Sequence, residues 1–185
     1  DKKMIPEHRQ RLRFIETLRQ HFGDRLHVFG RGQNPINDKW EAIAPYRYHI
    51  TLENAQIDHY WTEKLADAYL GLAYPIYYGC SNLAEYFSQD AFTAIDIFRP
   101  HDAIATIETV LAADLYAARL PAVQRAKQLV LDRYNLFAVL AQFGKQIAST
   151  ANQSRRVTLC PEGNAFWARR AYRYVSTRLR HRSAA

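Results

Sequence analysis

The sequence has few cysteines and no long apolar run, and each absence excludes a class of protein. Two cysteines in 185 residues, Cys80 and Cys160, are too few for a disulfide framework. We expect both to be thiols in a reducing compartment, and a single disulfide between them stays open as the alternative. No run reaches the roughly 18 apolar residues that a transmembrane helix requires. The N-terminal segment lacks the apolar region of a signal peptide.

Well-known nucleotide and metal motifs are also missing. The sequence contains neither G-x-G-x-x-G nor G-x-x-x-x-G-K-[ST], the glycine-rich loops that cradle phosphates. No spacing of His, Cys and Asp suggests a metal site. Internal repeats and low-complexity segments are absent as well. We therefore expect an ordinary folded domain that binds no metal, and any anion site must be built in another way.

The positive charge is confined to the C-terminal part of the chain. The formal net charge is +7, from 25 Lys and Arg against 18 Asp and Glu. Eight of the arginines, with Glu162 as the one acidic residue among them, lie between residues 155 and 182. The remaining 17 basic and 17 acidic residues cancel. The sequence therefore predicts a neutral body, residues 1–152, and a basic amphipathic segment, residues 153–185.

The predicted C-terminal helix has an apolar face, which most of its arginines avoid. We favour docking of this face on the rest of the protein. Peripheral contact of the arginines with an anionic membrane stays open. Nucleic-acid binding is a further alternative, but the charge is restricted to one terminal helix, so we expect no nucleic-acid partner. The apolar positions are Trp167, Ala171, Tyr174, Val175 and Leu179.

Strands and helices alternate between residues 10 and 115, which predicts a Rossmann-like parallel sheet with helices on both faces, an α/β fold. Further helices follow. The predicted helices cover 6–22, 62–73, 101–113 and 121–149, the last one bent or broken near Asn135, and the predicted strands cover Leu26–Phe29, 46–54, 74–80 and 91–97.

Ligands of such a sheet bind outside the carboxyl ends of the strands, and residues 53–64 are predicted to lie there. Thr62 is a suitable N-cap for the helix that follows. Its free N–H groups and the helix dipole attract anions, and Lys64 adds a positive charge. This pattern predicts a phosphate or diphosphate site, although capped helix starts with charged residues are also common on solvated surfaces.

Neighbouring side chains have the chemistry to bind the sugar and the base of a nucleotide sugar. Asn54 and Glu63 offer hydrogen-bonding groups for sugar hydroxyls, and the ring of Tyr60 or Trp61 can stack on a base. Glu53 is either a further ligand contact or a carboxylate that orders the loop, and the sequence leaves these two roles open.

Three motifs follow one another in this region: "EN" at 53–54, "YWTEK" at 60–64 and "PIYYG" at 75–79. An aromatic-rich strand precedes the first motif. Together they resemble the donor-binding segment of the alpha-1,3/4-fucosyltransferases, glycosyltransferase family 10. "RLRFIETL" and "VFGRG" are similar to flanking parts of that family, so the resemblance covers about residues 8 to 110.

The resemblance implies the C-terminal, GDP-fucose-binding domain of a GT-B glycosyltransferase. In that family the residues at the positions of Arg11 and Lys64 hold the diphosphate. The residue at Glu63 binds the ribose, and those at Asn54 and Tyr60 line the donor pocket. Glu53, Trp61 and Thr62 are further candidates for donor contacts.

The family's general base is a Glu of an N-terminal domain, and the chain opens on the helix that carries Arg11. We therefore expect the donor-binding half of an inverting fucosyltransferase, with no catalytic residue in this chain and no cofactor. The expected acceptor is an oligosaccharide or lipid-linked glycan such as lipopolysaccharide. The expected location is the bacterial cytoplasm, with peripheral contact at the inner membrane left open. Alternatives are another nucleotide-sugar glycosyltransferase, a non-catalytic nucleotide-sugar-binding module or a nucleic-acid-binding module.

Overall fold

A short parallel sheet and the helices beside it make up the described part of the chain, which is residues 6–30 and 34–150 of a computed structural model. The elements, in chain order, are α1 (Pro6–Phe22), β1 (Tyr48–Leu52), α2 (Glu63–Leu70), β2 (Tyr74–Tyr78), β3 (Thr93–Ala94), α3 (Pro100–Ala112), α4 (Leu115–Asp132) and α5 (Leu136–Thr150). Single 3₁₀ turns lie at Gly23–Arg25, Lys39–Ala42, Leu83–Glu85 and Gln89–Ala91.

The sheet is parallel throughout, in the order β1-β2-β3. Tyr48 pairs with Tyr74 at one end of the β1–β2 ladder, and Leu52 pairs with Tyr78 at the other. All five residues of β2 are buried, as expected for a central parallel strand that is covered on both faces. α2 connects β1 to β2, so the carboxyl ends of both strands meet at one edge. The predicted parallel α/β fold is confirmed.

Helix α1 is amphipathic and belongs to the core. Phe14, Leu18 and Phe22 recur every four residues and are all buried, because this spacing places them on one face of the helix. The side chain of Gln10 donates to the carbonyl of Ile97 over 2.8 Å, beyond the end of β3. These contacts fix the N-terminal half of α1, which carries Arg11, beside the carboxyl edge of the sheet.

The predicted strand Leu26–Phe29 is wrong. Phe29 forms only an isolated parallel bridge with Asn34, and the N–H of Gly30 donates to the carbonyl of Asn34 over 3.1 Å. The side chain of Asn34 also donates to the carbonyl of Val28. Among the described residues, the segment therefore bonds to Asn34 and does not pair with β1. The strand predicted for 91–97 is likewise reduced to the two residues of β3.

The predicted break near Asn135 is confirmed, since α4 ends at Asp132 and α5 begins at Leu136. The chain divides into two units, residues 1–142 and 143–185. The predicted boundary at 152 and the basic C-terminal segment lie outside the described residues and stay predictions. No described helix combines the length and the hydropathy that crossing a bilayer requires.

Candidate anion-binding site

The site is built around the residues that follow β1. The backbone N–H of Glu53 donates to the carbonyl of Tyr78 over 2.8 Å and extends the β1–β2 ladder by one residue. This pairing directs the Glu53 side chain into the protein, where it has 0 % exposure. A buried carboxylate is stable only when its oxygens are hydrogen-bonded and its charge is balanced.

Thr62, at the start of α2, satisfies much of that requirement. Its backbone N–H donates to Glu53 Oε1 over 2.8 Å, and its hydroxyl lies 3.0 Å from Oε1 and 2.8 Å from Oε2. The hydroxyl also accepts from the backbone N–H of Lys64 over 3.4 Å, so Thr62 is the N-cap that the sequence predicted. Glu53 and Thr62 therefore fix the first turn of α2 to the end of β1.

Lys64 brings a positive charge to the same place. Its ammonium donates to Glu53 Oε2 over 3.3 Å, to the Thr62 hydroxyl over 3.0 Å and to Glu63 Oε1 over 3.2 Å. The side chain is 29 % exposed, so solvent still reaches it. Burial works against the charge, but Glu53 and Glu63 outweigh it and raise the pKa of Lys64. The ammonium is thus charged, held in place and accessible.

Glu63 differs from Glu53 in its surroundings, because its side chain is 65 % exposed. Partial burial would raise the pKa of Glu63, but the hydrogen bond from Lys64 overcomes this and lowers it. Glu63 is therefore an ionised, largely exposed carboxylate beside Lys64.

Arg11 reaches the same strand end from α1. Its Nη1 donates to Asn54 Oδ1 over 2.6 Å and lies 3.4 Å from the carbonyl of Leu52. Its Nη2 is 3.3 Å from Nδ1 of His8, one helical turn earlier. The spacing of three residues was the signal for this contact, which the sequence reasoning missed. Burial lowers the pKa of Arg11, while the negative charge of Glu53 acts in the opposite direction.

The two aromatic candidates occupy different environments. Tyr60 is half-buried and close enough to Arg11 to interact with it electrostatically. Trp61 packs edge-on against Phe87 and Tyr134, with ring centroids 5.2 and 5.4 Å away. The structure therefore brings Tyr60 to the site and places Trp61 in an aromatic cluster.

A cavity of about 500 Å³ opens beside the two cations, and both Arg11 and Lys64 line it. Its wall includes an aromatic group formed by His27, Phe29 and Tyr46, in which Nδ1 of His27 lies 2.7 Å from the hydroxyl of Tyr46. The sequence reasoning missed this group because it assigned His27 and Phe29 to a strand.

Gly79 leaves the space that the side chain of Glu53 occupies. A Cβ atom at this position would lie 2.4 Å from Cγ of Glu53 and 2.4 Å from the hydroxyl of Tyr77. That hydroxyl in turn accepts the backbone N–H of Cys80 over 2.8 Å. Only glycine leaves room for Glu53 here. The next residue, Cys80, is a buried free thiol whose pKa is raised by burial, which does not favour a nucleophilic role.

The described residues thus bring together Arg11, Asn54, Tyr60, Glu63 and Lys64, with Glu53 and Thr62 as their support. Arg11 and Lys64, together with the N-terminus of α2, form a candidate binding site for an anion that carries more than one negative charge. No cluster of three or more His, Cys, Asp or Glu that could hold a metal ion occurs in this described part of the chain.

Known proteins are similar to this chain in sequence. The sequence model described as Glycosyltransferase family 10 (fucosyltransferase) C-term matches residues 3–117. The alpha-(1,3)-fucosyltransferase FucT of Helicobacter pylori is 33 % identical over 67 residues, which are 36 % of this chain and 14 % of that protein. A 4-galactosyl-N-acetylglucosaminide 3-alpha-L-fucosyltransferase of Homo sapiens is 30 % identical over 94 residues, which are 48 % of this chain and 26 % of that protein.

Solved structures agree on the fold. An alpha1,3-fucosyltransferase with GDP is 27 % identical with a TM-score of 0.50, over 62 % of this chain and 35 % of that one. An alpha1,3-fucosyltransferase with GDP-fucose is 21 % identical with a TM-score of 0.52, over 83 % of this chain and 47 % of that one. The chain thus spans about a quarter or less of the two curated relatives and under half of each structure.

Proposed function

Because the chain belongs to glycosyltransferase family 10, we propose that it is the donor-binding part of a fucosyltransferase, with GDP-fucose as the sugar donor. The similar proteins carry fucosyltransferase names, and two solved relatives were crystallised with GDP and with GDP-fucose. These likenesses support the choice of guanosine over other nucleosides.

One observation carries the proposal: Arg11 and Lys64, which come from different elements, meet at the end of β1 and line the same cavity. A nucleoside diphosphate has two adjacent phosphates, and two cations of different chemistry suit them. The planar guanidinium of Arg11 can bind phosphate oxygens in pairs, whereas the ammonium of Lys64 acts as a compact point charge.

The same cations serve the reaction. In the proposed transfer, the acceptor hydroxyl oxygen bonds to the anomeric carbon as the bond from that carbon to the β-phosphate oxygen of GDP breaks. Negative charge then grows on the departing diphosphate, and Arg11 and Lys64 stabilise it. No metal is required for that task, since the two side chains supply the positive charge.

The remaining side chains are proposed to hold the nucleoside and the sugar. Glu63 is exposed beside Lys64 and can accept hydrogen bonds from ribose hydroxyls. The cavity wall and Tyr60 offer aromatic surface for the base. Asn54 contributes through Arg11, which it orients by the 2.6 Å hydrogen bond.

The proton of the acceptor hydroxyl must pass to a general base. We propose that this base and the acceptor site lie outside residues 1–185, because the chain spans only part of the length of its curated relatives. A non-catalytic nucleotide-sugar-binding role has the same donor site, and a transfer assay on the full-length protein separates the two.

Calorimetric titration of this chain with GDP and with UDP tests the donor site. We expect GDP to bind in preference to UDP. The variant Lys64→Met should lose at least about tenfold in GDP affinity, the scale of a hydrogen bond to a charged group. Lys64→Arg, which keeps the charge, should retain more of it. Equal affinity for GDP and UDP, or a Lys64→Met variant that binds GDP like the parent chain, would contradict the proposal.

A further inference from the structure

Lys64 contacts two carboxylates that differ sharply in burial. Glu53 is fully buried, and three further hydrogen-bond contacts with Thr62 hold its oxygens. Glu63 has 65 % of its side chain exposed and lies at the first residue of α2. One partner of the ammonium is therefore part of the protein interior and the other is at the surface.

We propose that Glu63 occupies the anion position of Lys64 while the site is empty, and that an incoming diphosphate displaces Glu63 but not Glu53. The proposal rests on the diphosphate-binding role of Lys64 described above. Glu63 Oε1 lies 3.2 Å from the ammonium, within hydrogen-bonding reach, so it takes up one of the positions around Lys64 in which a phosphate oxygen would bind.

The two carboxylates respond differently to an incoming anion because of their surroundings. Moving Glu53 would leave a charged group without partners in the interior and would release the first turn of α2. Both changes are energetically very unfavourable. Moving Glu63 only returns a solvated carboxylate to water, and such exposed ion pairs are weak. An anion that competes for Lys64 therefore replaces Glu63, while Glu53 keeps the ammonium in place.

Displacement of Glu63 lets the site distinguish a nucleoside diphosphate from inorganic pyrophosphate. Inorganic pyrophosphate takes the Lys64 contact and leaves Glu63 without a partner. A nucleoside diphosphate takes the same contact but brings ribose hydroxyls, which can donate to the released carboxylate. Glu63 thus disfavours small phosphate anions and tolerates nucleotides, so that it determines specificity as well as binding.

The test compares pyrophosphate with GDP by calorimetry on the parent chain, Glu63→Gln and Glu63→Asp. Glu63→Gln removes the competing charge. Glu63→Asp keeps the charge but is shorter by one methylene, so that its carboxylate withdraws from the ammonium. Both variants should bind pyrophosphate more tightly, by roughly two- to fivefold for Glu63→Gln, which is the size of an exposed ion pair. GDP should gain less, so the preference for GDP over pyrophosphate falls.

Unchanged or weaker pyrophosphate binding by Glu63→Gln would overturn the inference. So would a gain in Glu63→Gln with none in Glu63→Asp, because that result would assign the effect to net charge and not to the contact. These outcomes leave the donor site itself standing as long as Lys64→Met still weakens GDP binding. If neither ligand binds the parent chain, both the donor site and the displacement fail.

Discussion

Adding a single methyl group at Gly79 should disrupt the anion site by displacing Glu53. In the variant Gly79→Ala, the new Cβ would lie 2.4 Å from Cγ and 2.8 Å from Cβ of Glu53, and 2.4 Å from the hydroxyl of Tyr77. Carbon atoms in good contact are about 3.5–4.0 Å apart, so these groups must move by more than about 1 Å. The neighbours cannot yield cheaply, since Glu53 and Tyr77 are both buried and hydrogen-bonded.

The size of the effect follows from these contacts. Overpacking of a well-filled interior costs about 1–3 kcal/mol. A shift of 1 Å also lengthens the 2.8 Å hydrogen bonds from Thr62 to Glu53 beyond bonding distance, and hydrogen bonds to charged groups contribute about 1.5–3 kcal/mol each. Because part of the strain relaxes, we expect the free energy of unfolding to fall by about 2–4 kcal/mol.

Urea denaturation measures the loss of stability, and calorimetry with GDP measures the site. GDP affinity should fall in the same variant because Lys64 loses its anchor. Gly144→Ala is the matched control: it adds the same methyl group within α5, where nothing lies within 4 Å, and should not destabilise the protein. A Gly79→Ala protein with the stability and GDP affinity of the parent chain would refute the packing argument.

Two further predictions concern other parts of the site and the core. Arg11→Met should weaken GDP binding by about tenfold or more in calorimetry, whereas Arg13→Met, which removes the same charge from an exposed position of the same helix, should leave it nearly unchanged; equal losses would point to long-range charge instead of contact. Burial lowers the pKa of His49 below its ordinary value near 6.5, so the folded state binds this proton less readily than the unfolded state does. The contribution of His49 to the free energy of unfolding is therefore fully present above about pH 6.5 and is lost as the pH falls toward the pKa of the folded state. In urea denaturation, His49→Gln should lose less stability over that pH range than the parent chain does.

Local signals predicted the elements that depend on local chemistry. The cap at Thr62 followed from a hydroxyl placed directly before a helical pattern, and the structure confirms it. The parallel sheet followed from the alternation of short apolar strands with helices. The strand at Leu26–Phe29 failed because its hydrogen bonds are decided by Asn34, five residues beyond the end of the pattern.

The burial of Glu53 was beyond a reading of the sequence. A carboxylate between a strand and a polar loop is more often exposed, and the sequence left its role open. Its burial depends on Gly79, which is 26 positions away in the chain and adjacent in space. The motifs identified which residues cluster, whereas only the structure distinguishes the buried Glu53 from the exposed Glu63.

The two charged contacts of the site join residues at very different separations along the chain, so they are expected to form at different stages of folding. Lys64 and Glu53 are 11 residues apart, whereas Arg11 and Asn54 are 43 residues apart. Closing a loop of about ten residues takes roughly 10–100 ns, and long-range contacts are entropically more expensive and form later. The lysine contact can therefore form as soon as β1 and α2 come together, while the arginine contact waits for α1 to dock. Anion binding that requires Arg11 would thus report, during refolding, on the arrival of the N-terminal helix.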